Sequence, residues 1–184
     1  ESTLVEDYQE LFKTFVDRSR DVEPRIRIYM AKFLQTMLLN HGNREQWIME
    51  LLNERLVERA RDSDEKVRRN ICEAIVAVLK QNSDLVTMET IQVLAERARD
   101  KRVALRIHVM KLISEVWRDN SGQGDKIEWI SNCVVHASCT VPNHALLETL
   151  LDQHMLAQDD PADESDDQRT NSFIVLVDQL DKFS

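Results

Sequence analysis

Glycine and proline are scarce, with three of each in 184 residues. Sandwiches and barrels need both for their many tight turns, so the shortage excludes a turn-dense all-β chain and favours helices joined by short connections. Cysteine is equally sparse. Three residues, an odd number without regular pairing distances, exclude a disulfide framework and lead us to expect free thiols in a reducing compartment. The 42% hydrophobic content is dispersed, and no apolar run approaches the ~20 residues that span a bilayer, so no membrane partner is expected. A basic excess is also missing. The formal net charge is -9, with Lys+Arg against Asp+Glu at 21 to 21 over residues 1–120 and 3 to 12 over residues 121–184. The acidity therefore belongs to the last third. This balance, together with a lack of interleaved exposed aromatics, counts against direct, sequence-specific nucleic-acid binding as the main activity. There is no phosphate-cradling Gly-rich loop, no G-x-S-x-G elbow and no H-E-x-x-H helix, so no enzyme is expected. The chain opens on Glu1 with no charged-then-apolar leader, and is expected to be a piece of something longer.

What the chain does have is a stretch that occurs three times. Arg18-Ser19-Arg20-Asp21, Arg59-Ala60-Arg61-Asp62 and Arg97-Ala98-Arg99-Asp100 lead to Ile26-Arg27, Val67-Arg68 and Leu105-Arg106 on one template, Arg-x-Arg-Asp-x4-aliphatic-Arg. The copies are 41 and 38 residues apart, close to the roughly 40–47 residue period of two-helix HEAT and armadillo units. Apolar residues follow each copy at offsets 0, 4, 7, 8, 11 and 12: Ile26 to Leu38, Val67 to Leu79, Leu105 to Trp117. One period and one register in three places predict an all-α HEAT-repeat (armadillo-like) solenoid, here a superhelical fragment.

Leu4, Tyr8, Leu11, Phe12 and Phe15 predict a first helix over residues 2–18. Asp21 and Pro24 suit the start of a second, running from about Arg25 to His41. Partner helices are expected over 46–60 and 88–99, with turns at Gly42-Asn43 and Asn82-Ser83-Asp84. Residues 1–120 thus form HEAT-type repeats built on Asp21, Asp62 and Asp100. Residues 121–184 hold a break at Ser121 to Gly124, helices over 126–139 and 143–156, an acidic loop over 158–167 and a terminal helix over 171–183. The apolar last helix leads us to expect flanking repeats that cover it.

Two roles suit the repeated charges. An Asp in the turn can bond backbone donors, and an Arg one turn into the next helix can bridge to it or to its equivalent in the adjoining repeat. On that reading Asp21, Arg27, Asp62, Arg68, Asp100 and Arg106 are scaffolding; on the other, Arg27, Arg68 and Arg106 are anion ligands. The neighbouring Arg25, Lys32, Lys66, Arg69, Lys101, Arg102 and Lys111 lie near the turns or on the second helices, where a basic stripe could meet an acidic partner. Glu23, Glu65 and Glu73 interrupt it, which suits a plain mixed-charge face as well. Cys133, His136, Cys139 and His144 invite a zinc reading, but they lack paired C-x2-C or H-x3-H geometry, and no metal site is expected. His41 and His108 suit packing or surface roles, and Trp47, Trp117 and Trp129 suit the core.

The series Arg25-Ile26-Arg27, Lys32-Phe33, Asn40-His41, Asp62, Arg68, Glu96-Arg97, Asp100-Lys101-Arg102 and Arg106 resembles the middle HEAT repeats of the sister-chromatid cohesion proteins named for precocious dissociation of sisters (Pds). Trp129-Ile130, His136 and Leu146-Leu147-Glu148 follow in matching order. The resemblance implies a nuclear, non-enzymatic regulator that binds the cohesin ring through its kleisin subunit. It implies the wings-apart-like protein as a second partner, in cohesin release, and chromatin as an indirect one. It also implies inositol hexakisphosphate as a ligand, with Lys32, Lys101, Arg102 and Arg106 at basic positions of the family pattern. The chain departs from that pattern at Ile107 and in its enlarged acidic loop. A generic HEAT adaptor of the phosphatase-scaffold or transport kind would share the periodicity without the ordered Trp129 to Glu148 series.

Overall fold

The computed structural model describes residues 8–119, with side chains described to residue 116. The first turn of the expected opening helix, the Trp117 side chain, the helices expected beyond residue 120, the acidic loop and the Cys133 to His144 set lie outside the described residues. Among the described residues the chain is all α-helix and 3-10 turn: α1 Gln9–Val16, α2 Pro24–His41, α3 Gln46–Ala60, α4 Glu65–Gln81, α5 Met88–Arg97 and α6 Val103–Asp119. The chain divides into two compact units, Glu1–Val93 and Leu94–Ser184.

In the first unit, α1 ends earlier than its apolar spacing predicts. A 3-10 turn over Asp17–Arg20 replaces its last turn and carries Ser19 into the interior. Phe12 anchors α1 edge-on to Trp47 at 5.9 Å and tilted to Phe33 at 6.4 Å, while Phe15 meets Phe33 at 4.8 Å. The second helix starts where Pro24 needs no donor and Glu23 caps the Arg25 N–H. Asp64 caps α4 through the Lys66 and Val67 N–H groups. Along α4 the whole expected stripe, Val67, Ile71, Ala74, Ile75, Val78 and Leu79, is buried. Along α2 only Met30, Leu34 and Leu38 are, and Ile26, Phe33 and Met37 are half-buried. Each fully buried aliphatic contributes about 1.5–3 kcal/mol.

Two polar devices fix the connections. Gly42 follows α2 where its N–H reaches the Leu38 carbonyl, and a Cβ there would lie 2.5 Å from that oxygen and 2.9 Å from Leu85 Cδ2. Only glycine admits this approach without a shift. Asn53 on α3 is 2% exposed and uses every polar atom. Its Nδ2 donates to the Met49 and Leu85 carbonyls, and its Oδ1 accepts from Thr87 N–H and Thr90 Oγ1, at 2.7–3.1 Å. It pins the start of α5 to α3. In the second unit, Leu105, Val109, Ile113 and Val116 form the buried face of α6.

A charged turn set and a basic stripe

The three template copies share one local geometry. In each, the first Arg pairs with the Asp three residues on: Arg18 with Asp21 at 2.6 Å, Arg59 with Asp62 at 2.8 Å, Arg97 with Asp100 at 2.9 Å. The same Asp accepts the N–H two residues ahead, from Glu23, Asp64 and Arg102, each at 2.9 Å. The last Arg turns back to the carbonyl of that Asp: Arg27 at 2.8 Å, Arg68 at 3.0 Å, Arg106 at 2.8 Å. The Asp therefore sits ahead of the helix cap and orders the turn from both its carboxylate and its carbonyl. Glu23 and Asp64 provide the caps themselves.

Between neighbouring repeats, Arg27 reaches Asp62 through two parallel bonds, Nε to Oδ2 and Nη2 to Oδ1, both 2.9 Å. The two side chains are 10% and 2% exposed, so the fork is desolvated and charge-assisted. Burial pushes the Asp62 carboxyl up. The Arg27 hydrogen bond, the Asp64 N–H and the charges of Arg27 and Arg59 outweigh it and hold the group below its ordinary range. Alongside, Glu58 accepts both Arg20 bonds, at 2.9 and 3.0 Å, and also meets Arg55 and Arg59. Burial pushes Glu58 up, but the Arg20 hydrogen bond and the charges of Arg59 and Arg20 bring it down. Arg55 continues to Asp17 at 3.1 Å, tying the 3-10 turn to α3. The side chains of Arg27 and Arg68 lie inside, bonded to carboxylate or carbonyl oxygens, which leaves little for an external anion.

The cations placed outward are different ones. Arg25, Lys32 and Lys66 are exposed and Arg69 is half-buried; the Lys32 ammonium group donates to Gln35 Oε1 at 3.1 Å. Helices α2 and α4 pack together, and the Arg27–Asp62 fork joins their starting ends, so they run parallel. Their outward positions fall at equal offsets: Arg25, Tyr29, Lys32 and Thr36 on one, Lys66, Asn70, Glu73 and Ala77 on the other. In the second unit Lys101, Arg102 and Lys111 are exposed, and Arg106 is half-buried on the Asp100 carbonyl. Tyr29 is the residue that sequence reasoning missed. It is 78% exposed, against the expectation that aromatics are not interleaved with the surface charges. The repeat alignment carries the signal, because the equivalent positions are Asn70 and His108. Among the described residues, no group of three or more His, Cys, Asp or Glu could hold a metal ion.

Comparison with known proteins gives the lineage. The family model described as sister chromatid cohesion protein PDS5 matches residues 1–184. The chain is 25% identical over 165 residues to PDS5 homolog B of Gallus gallus and 26% identical over 140 residues to the PDS5 homolog of Dictyostelium discoideum. These alignments cover 85% and 76% of this chain but only 11% and 9% of the relatives. A chain solved in the Pds5-Scc1 complex is similar in fold over 96% of this chain and 27% of its own length, with a TM-score of 0.75 at 15% identity. The fold is thus an all-α HEAT-repeat fold, and the chain belongs to the sister chromatid cohesion protein PDS5 family.

Proposed function

We propose that this chain is part of a nuclear scaffold that regulates sister-chromatid cohesion by binding the kleisin subunit of cohesin, with no bond made or broken. The observation that carries the reading is the family match across the whole chain. The solved relative in complex with Scc1 supports the kleisin as partner. The placement of charge agrees with a binding role: Arg27 and Arg68 are spent inside the turns, and other cations lie outward along packed helices, a surface suited to a peptide segment. Maintenance of cohesion, and release together with the wings-apart-like protein, belong to the same proposal. For inositol hexakisphosphate, Lys101 and Lys111 offer exposed ammonium groups, whereas Arg106 is committed to the Asp100 carbonyl.

Immunoprecipitation of the full-length protein from nuclease-treated nuclear extract tests this reading. Recovery of the kleisin with the other cohesin subunits is expected. A well-expressed protein that brings down no cohesin subunit would refute it.

A further inference from the structure

We infer that Arg25, Tyr29 and Lys32 on α2, with Lys66 and Arg69 on α4, form a docking surface for a short acidic segment of the kleisin, with Tyr29 as its anchor. The inference rests on the proposed function in taking the kleisin as the source of that segment. It starts from where the pairing of charges stops. In the first unit Lys13, Arg18, Arg20, Arg27, Arg55 and Arg59 each have a carboxylate within 4.0 Å, and Arg61, Arg68 and Lys80 have contacts of their own. Among the described residues of that unit, Arg25, Lys32, Lys66, Arg69 and Arg44 have no such carboxylate; Arg25, Lys32 and Lys66 lie on the outward positions of α2 and α4, and Arg69 lies beside them on α4. Three carboxylates lie near them, so four cations face three acids: Glu23 accepts Arg25 N–H through its side chain, and Glu65 and Glu73 have contacts of their own. A surface with cations left over is complementary to an acidic occupant.

Tyr29 adds the anchor. It is 78% exposed, and its equivalents Asn70 and His108 show that the repeat does not need a large apolar ring there. An exposed tyrosine has a rigid apolar body and a polar tip, the combination enriched at protein interfaces. Dimensions set the size of the occupant. Arg25 to Lys32 spans seven helical steps, about 10 Å, and neighbouring packed helices lie about 8–10 Å apart. Three or four residues of extended peptide, at about 3.3 Å each, match that patch. A nucleic-acid duplex would need a longer track of cations than this patch offers.

The test is fluorescence anisotropy on the full-length protein, with purified kleisin, a glutamate-rich peptide, its glutamine counterpart and duplex DNA as probes. The proteins compared are wild type, Tyr29→Ala, Tyr29→Phe and the triple reversal Arg25→Glu, Lys32→Glu, Lys66→Glu. All four positions are exposed, so the melting temperature should stay unchanged. The triple reversal and Tyr29→Ala should each weaken kleisin binding about tenfold or more, Tyr29→Phe should stay near wild type, and only the glutamate-rich peptide should compete. Kleisin binding that is equal in all four proteins overturns the inference and leaves the proposed function standing. A loss confined to DNA binding also overturns it. If wild type binds no kleisin yet binds the glutamate-rich peptide through these residues, the surface stands and the kleisin assignment falls; if it binds neither, both fall.

Discussion

Ser19 shows how much a single position of the template carries. Its hydroxyl is fully buried and has no hydrogen-bond partner among the described residues, and the equivalent residues are Ala60 and Ala98, which are equally buried. A buried hydroxyl that has lost water and found no acceptor is a net cost, so Ser19→Ala should raise stability by about 1 kcal/mol, read as a higher melting temperature. Asp62 is the opposite case. It receives Arg27, Arg59 and the Asp64 N–H, and Arg27 has no water to fall back on. Asp62→Asn keeps an acceptor for the turn but leaves the Arg27 charge buried without its counter-ion, and should cost about 3 kcal/mol in denaturant unfolding. The sign of the accompanying pH effect follows from the lowered carboxyl. Its folded-state pKa lies below its unfolded value, so its stabilisation is present above the unfolded value of about 4 and is lost as pH falls through the folded one. The acid limb of the stability profile should be shallower in the variant.

At the scale of elements, the repeat register made α2, α4 and α6 legible from the sequence because six apolar positions recur in each. Ends were harder. The spacing of Leu4 to Phe15 continues smoothly into residues that form the 3-10 turn, because Asp17 and Arg20 are held by α3 through Arg55 and Glu58, contacts nearly 40 residues away that no local pattern records. The connection from α4 to α5 depends in the same way on Asn53, a polar residue in the middle of a helix that reads as surface by type. Asn53→Ala strands the Thr87 N–H and the Leu85 carbonyl in the interior. It should cost about 2–3 kcal/mol, with faster amide exchange at the start of α5 than elsewhere in the first unit. The exposure of Arg25, Lys32 and Lys66 agrees with their polar type in the sequence, whereas Arg69 is half-buried at the position equivalent to Ile28. The exposure of Tyr29 was harder to read, because a phenol ring suits a core as well as a surface, and only the alignment of the three copies, with Asn70 and His108 at the same position, points outward.

At the scale of the whole molecule, the described part of the chain spends the charges of its template on the turns and leaves other cations outward. Arg27 and Arg68, for which both a scaffolding and an anion-binding role were open, are buried at 8% and 2% exposure, while the less regular Arg25, Lys32 and Lys66 face solvent. Such a division suits a protein whose family works through contacts, and this chain spans about 11% of the length of its vertebrate PDS5 relatives. The most direct measurement is a calorimetric titration of purified kleisin into the folded full-length protein at low and at physiological salt. The account predicts a saturable one-to-one complex whose affinity falls as salt rises, as expected for an acidic segment on a basic stripe. A flat titration at both salt concentrations, with the protein folded by circular dichroism, would contradict it.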